Sequence, residues 1–134
     1  LQPADIDDIV TVAMSRGIAA LIISNTTIAR PALASCYAGE AGGLSGAPLR
    51  DMAQQRLVDF RKASGGQIGL IGVGGIASAQ DAYARIRAGA SLVQIYSALV
   101  YQGPGLARRI NKQLQQFLQA DGFVNISDAV GVDG

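Results

Sequence analysis

The sequence contains no histidine, no tryptophan and a single cysteine in 134 residues. Without histidine, a Ser–His triad and histidine-ligated metals are excluded. One cysteine, Cys36, forbids an intrachain disulfide and points to a reducing compartment. Charged residues are scarce at 16% and nearly balanced at +1, so charge suggests neither nucleic acid nor an anionic membrane as a partner. No apolar run reaches the roughly 18 residues of a membrane span, and no secretory signal is visible at the N-terminus. Internal repeats, linkers and low-complexity segments are absent too. What is present is apolar, 49% by composition, and of a length that suits one domain.

Residues 68–97 organise the chain. An apolar run over 68–73 ends in the pair Gly74–Gly75. Ser78, with Asp81 three residues on, is a variant of the helix N-terminal capping signal. A short helical pattern through Ala82, Tyr83 and Ile86 closes at Gly89, and a second apolar run over 91–96 ends at Ser97. Strands joined by a helical crossover are parallel. Loops 73–77 and 96–99 are therefore neighbours at the carboxyl edge of the sheet, where α/β folds place ligands. Gly74 and Gly75 lack a Cβ, so their N–H groups can approach an anion. The helix beginning near Ser78 directs the positive end of its dipole at the same spot, and Ser97 adds a hydroxyl. A phosphate monoester suits these groups; a tight turn that needs glycine for geometry alone is the other reading. Residues 72–77 also fit the loose dinucleotide fingerprint G-x-G-x-x-G/A, which wants a carboxylate about 20 residues on. The second strand instead ends in Gln94, Ile95, Tyr96 and Ser97, which favours a phosphate cradle over a ribose clamp.

Earlier in the chain, residues 3–16 read as a helix with Ile6, Ile9, Val10, Ala13 and Met14 on one apolar face. Asp5, Asp7 and Asp8 suit acid–base chemistry in principle, but their place at a helix start favours a solvated structural role. Residues 19–24 read as a strand apolar on both faces. It ends in Ser24, Asn25, Thr26 and Thr27, whose donors and acceptors suit a flat heterocycle with amide and carboxylate edges; a side-chain-capped turn is the plainer alternative. A long loop over 28–48 contains a second Gly/Ser segment, GGLSG at 42–46. A helix over 49–63 follows, with Leu49, Met52, Ala53, Leu57 and Phe60 inward. After a turn at 103–105, residues 106–120 form a helix with the stripe Leu106, Ile110, Leu114, Phe117 and Leu118. Arg108, Arg109 and Lys112 read as its solvated face. One short turn is expected near 127–129. The order is αβ-αβ-αβ-α with three parallel strands, an open segment of a larger α/β structure.

Taken together, Ser24-Asn25-Thr26-Thr27 with Arg30, GGLSG at 42–46 with Pro48-Leu49-Arg50, the run 71–76 and the run 87–97 resemble the C-terminal part of class 2, quinone-dependent, dihydroorotate dehydrogenases. The resemblance covers essentially the whole chain, and the order and spacing make it specific. It implies a (β/α)8 TIM barrel with FMN at its carboxyl face, residues 1–134 being part of that single domain. It implies oxidation of dihydroorotate to orotate, with electrons passed through FMN to a quinone, in pyrimidine biosynthesis. By motif match, Asn25 and Thr26 would contact the pyrimidine, and Ser24, Ser45, Gly46, Val73, Gly74, Gly75, Tyr96 and Ser97 would contact FMN. The family's flavin-contacting lysine, its serine base and the helical pair that admits the quinone all fall before Leu1. No catalytic base is therefore assigned here, and the chain alone is expected to be inactive. The family implies a peripheral site on the cytoplasmic face of a membrane. The implied partners are the rest of the barrel, or a second copy, covering Ile22, Ile71, Val93 and Ile95. A segment of a sugar-phosphate isomerase or aldolase barrel would use the same phosphate loops. It would also place a lysine or paired carboxylates at the strand ends, where 24–27 and 95–97 have neither. A non-catalytic phosphate-binding module is a third possibility.

Overall fold

Pro3 has the φ of a first helical turn already set, and Asp5 closes that turn by accepting the Gln2 N–H at 2.6 Å. In the computed structural model, which describes residues 1–31, 33 and 35–134, this begins α1 (Pro3–Ser15). Gly17, at a positive φ of 67°, turns the chain into β1 (Ala20–Ile23). A 3-10 turn (Ala47–Leu49) leads into α2 (Arg50–Ser64), which ends on left-handed Gly65. Then come β2 (Gly69–Val73), α3 (Ala79–Arg87), β3 (Leu92–Gln94), α4 (Ser97–Gln102), α5 (Leu106–Ala120) and a 3-10 turn, Ile126–Ala129. The sheet order is β1-β2-β3, all parallel, as the helical crossovers require.

Side-chain alternation assigns the two faces of the sheet. Ile23 and Leu70 enter a core with Ile6, Val10, Ala13, Leu57 and Phe60 from α1 and α2. Burying a side chain such as Leu57 contributes about 1.5–3 kcal/mol. Ile76, Ala79, Ala82 and Ile86 pack on Leu106, Ile110 and Leu114 of α5 in a second core, with Val93 and Ile95 against it. The other face has no helix on it among the described residues. In the strand register Ile22 pairs with Ile71 and Ile71 with Leu92, so these three form one apolar row there. Ile22 is 55% and Leu92 63% exposed.

Several expectations are corrected. The strand over 19–24 is not buried on both faces, because Ile22 lies on the uncovered side. Val93 and Ile95 do not face that side; the register gives Leu92 the place beside Ile71, which turns Val93 to the helices. Ile9, Met14 and Met52 are exposed rather than core, the buried stripes of α1 and α2 being narrower than their apolar spacing. The strand over 91–96 is only three residues long, and the loop over 96–99 is the start of α4. Within the long loop, Thr27 and Leu44 exchange backbone hydrogen bonds at 3.2 and 2.7 Å. The Arg30 guanidinium donates to Gly42 O at 2.6 Å and Glu40 O at 3.0 Å. Residues 32 and 34 of that loop lie outside the described residues.

Candidate functional site

The ends of the parallel strands set the site. Residues following β1, β2 and β3 meet the Ser45–Gly46 segment around one cavity of about 590 Å³, within the roughly 300–1,000 Å³ usual for small-molecule sites. Its lining includes every residue given a flavin or pyrimidine contact by the motif match, Ser24, Asn25, Thr26, Ser45, Gly46, Val73, Gly74, Gly75, Tyr96 and Ser97, but not Thr27. Gln94 and, from α4, Tyr101 and Gln102 complete the polar wall, and Leu49, Ile76 and Ile95 the apolar part. Gln102 is fixed by donating to Ala77 O at 2.9 Å. Sequence reading missed Gln102 because α4 was not foreseen. Among the described residues, no aspartate, glutamate, lysine or arginine lines the cavity.

Each wall has its own local cause. The Ser45 and Ser97 hydroxyls lie 3.1 Å apart, joining the Gly/Ser loop to the end of β3. Gly46 has a positive φ of 79°, which favours glycine, and a Cβ there would meet the Ser97 Cβ at an ordinary contact distance of 3.7 Å. Asn25 Oδ1 accepts the Thr26 N–H at 2.8 Å, a local turn that leaves the Asn25 amide Nδ2 group for another partner. Gly43 fits against Thr26, whose hydroxyl occupies the space of a Cβ there.

The Gly74–Gly75 turn has a geometric cause, the second of the two readings of its glycines. Both glycines have positive φ, 100° and 73°, which L side chains rarely adopt. A Cβ on Gly74 would come within 2.8 Å of Leu49 Cδ2, and one on Gly75 within 2.6 Å of Arg50 N. Glycine is required by packing against the start of α2, independent of any ligand. The α3 N-terminus is also partly self-satisfied. Ser78 Oγ accepts the Asp81 N–H at 3.1 Å, and Asp81 Oδ2 accepts the Ala77 N–H at 3.0 Å. Asp81 also pairs with Arg50 Nε at 3.0 Å. The Ala77 and Asp81 N–H groups are thus already engaged, and the glycine turn keeps free donors of its own. Among the described residues, neither the Gly75 nor the Ile76 N–H donates to a protein acceptor.

Beneath this turn lies Arg85, 1% exposed, a residue that sequence reading did not single out. Its Nη2 donates to Gly74 O at 2.9 Å and to Arg50 O at 3.2 Å, while Nε and Nη1 are buried without a protein partner. Leaving such a donor unmet costs about 1–3 kcal/mol. Burial lowers the guanidinium's pKa from its ordinary value, with the neighbouring Asp81 opposing the shift; the group stays protonated near neutrality. The available signal was Gly72. A glycine inside a strand marks close approach of another group, and here a Cβ would overlap the Arg85 side chain.

The cavity can therefore hold a flat, partly apolar ring with amide edges, and an anion met by neutral N–H and O–H donors. A flavin mononucleotide has this chemistry, and the donor set fits it. Comparison with known proteins gives a consistent result. Residues 1–118 match the family model described as Dihydroorotate dehydrogenase. A protein of Novosphingobium aromaticivorans named dihydroorotate dehydrogenase (quinone) is 65% identical over 98% of this chain and 38% of its own length. One of the same name from Sphingopyxis alaskensis is also 65% identical, over 98% of this chain and 37% of its own. The chain thus spans less than two-fifths of the length of these relatives. The crystal structure of an Eimeria tenella DHODH in complex with ferulenol superposes with a TM-score of 0.94 at 44% identity, covering 99% of this chain and 35% of that one. Such structures are TIM-barrel enzymes.

Proposed function

The chain belongs to the dihydroorotate dehydrogenase family, and from that premise we propose that it supplies the flavin and substrate face of an enzyme that oxidises dihydroorotate to orotate and passes the electrons through FMN to a quinone. The observation that carries this reading is the convergence of three strand ends and the Gly/Ser loop on one uncharged cavity. When bound, FMN supplies the two-electron acceptor for this oxidation. The Gly75 and Tyr96 N–H groups and Ser97 hold the phosphate end. Ser24, Ser45, Gly46, Val73 and Gly74 border the rest of the flavin. Asn25 and Thr26 orient the pyrimidine through hydrogen bonds. Residues 1–134 act as part of one FMN-binding barrel domain in pyrimidine biosynthesis, peripheral to the cytoplasmic face of a membrane. Among the described residues no helix is long and apolar enough to cross one. The absence of lysine and carboxylates from the described lining speaks against the isomerase or aldolase alternative, which needs such groups at the strand ends.

The test is spectroscopic. The purified full-length protein should show flavin absorbance, dihydroorotate should bleach it without oxygen, and a soluble quinone should restore it. Colourless protein, or a flavin that dihydroorotate leaves oxidised, would contradict the proposal.

A further inference from the structure

We infer that Arg85 is a positioning residue for the phosphate-binding turn: from the buried side of the sheet it holds the Gly74 carbonyl and so turns the Gly75 N–H toward the cavity. The inference rests on the flavin reading above and assigns a role to a residue that does not line the cavity.

The reason lies in the peptide unit. It is planar and trans, so the C=O of one residue and the N–H of the next point in opposite directions. Arg85 reaches Gly74 O at 2.9 Å from the helix-covered side, its stem lying where a Cβ of Gly72 would be. The Gly75 N–H, on the far side of the same peptide, is then directed at the cavity that Gly75 lines. On the next peptide Arg50 makes a longer contact, its Nε, which pairs with Asp81 at 3.0 Å, lying 3.4 Å from Gly75 O. The Gly75 amide is thus aimed by the buried cation beneath it. Such preorganisation matters because the described cavity lining carries no cation of its own. An anion there relies on dipoles that already point at it, with no side chain left to reorganise. The guanidinium reaches two carbonyls on different elements, Gly74 O and Arg50 O; this also sets the turn against the start of α2. That two of its nitrogens stay unpartnered fits a group kept for where it places one N–H rather than for net stability.

The experiment separates positioning from folding by using two flavins, one with the phosphate and one without. Apoprotein of the full-length enzyme is titrated with FMN and with riboflavin, followed by flavin fluorescence. Arg85→Met should weaken FMN binding about 10- to 100-fold, the range for losing hydrogen bonds to a charged group, and leave riboflavin binding unchanged. Arg85→Lys, which keeps a donor for Gly74 O, should restore most of the preference for FMN. Equal loss of both flavins in Arg85→Met, or an undiminished preference for FMN, would overturn the inference. If Arg85→Met does not fold, amide exchange in the unsubstituted protein decides. The Gly75 and Ile76 amides should exchange fast in the apoprotein, and FMN but not riboflavin should slow them. Slow exchange without flavin, or equal slowing by both, would overturn it. Unsubstituted protein that binds neither flavin would remove the flavin reading and this inference together, whereas FMN binding with an indifferent Arg85 would remove only this one.

Discussion

Asn25 divides its side chain between two tasks. Its Oδ1 accepts the neighbouring Thr26 N–H at 2.8 Å and shapes the loop, while its Nδ2 is left to the cavity. Asn25→Ala should therefore leave FMN bound and slow flavin reduction by dihydroorotate about 5- to 150-fold, the loss of a buried hydrogen bond of roughly 1–3 kcal/mol. Stopped-flow absorbance at the flavin band checks it, and unchanged reduction would make Asn25 a turn former only. At this scale the polar residues were legible in the sequence. Small polar side chains following an apolar run have few packing reasons to be there, and Asn25, Thr26, Ser45 and Ser97 all line the cavity. The reason for the glycines was only partly legible. Gly74 and Gly75 read either as clearance for a ligand or as a turn needing glycine for geometry alone, but nothing in the pattern showed that the groups that exclude a Cβ there are Leu49 and Arg50, 25 residues earlier. Arg85 was hidden for a related reason. A charged residue in the last turn of a short helix ordinarily reads as solvated, and only the tertiary position of Gly72 reveals that it is buried.

Among the helices, α5 could be read directly: its bounds, 106–120, and its buried stripe of Leu106, Ile110 and Leu114 match the apolar spacing. So could α3, whose capping serine accepts from Asp81 as the spacing indicated. α4 could not. Residues 97–102 carry no capping side chain and have no buried member, so neither start signal nor stripe marks them. Nor did pattern show that α3 is clasped to the C-terminal segment. Arg87 Nε and Nη2 donate to the two Asp133 carboxylate oxygens, both at 2.7 Å, and Nη1 donates to Asp121 at 2.7 Å. Tyr83 donates its hydroxyl to the same Asp121. The hydrogen bonds from Arg87 hold the Asp133 carboxyl below the ordinary carboxylate range. A lowered carboxylate pKa adds stability above the unfolded value of about 3.9, and this is lost as pH falls through the lowered folded value. Asp133→Asn should therefore lower Tm slightly at neutral pH, and the difference should vanish in strong acid. The effect should be small and shrink with salt, because the pair is half exposed. Arg87→Ala, which also frees Asp121, should lower Tm more and speed exchange of the Gly131 and Asp133 amides, which bond to Ile86 O and Arg87 O. Thermal melts and amide exchange test this order.

For the molecule as a whole, the parallel sheet and its crossovers were legible because apolar runs alternate with helical periods. On the uncovered face Ile22 and Ile71 were legible, but Leu92 was not, since a three-residue β3 gives no alternation to read. Ile22, Leu92 and Tyr96, the last 81% exposed, leave an apolar face, and β1 and β3 each have a free edge among the described residues. Residues 1–134 expressed alone should associate and show no dihydroorotate-dependent dye reduction. Sedimentation and a turnover assay check both, and a stable, active monomer would contradict the expectation. The row Ile22, Ile71 and Leu92 has one more consequence. It acts as an index mark for any strand arriving at either edge. Side chains alternate with a period of two, so a newcomer shifted by a single residue would turn its helix-facing set to the level of these three and leave the helices without the side chains that pack beneath them. The penalty for misalignment is thus already present in this sheet before the next strand docks, and each addition is phased by the one before it.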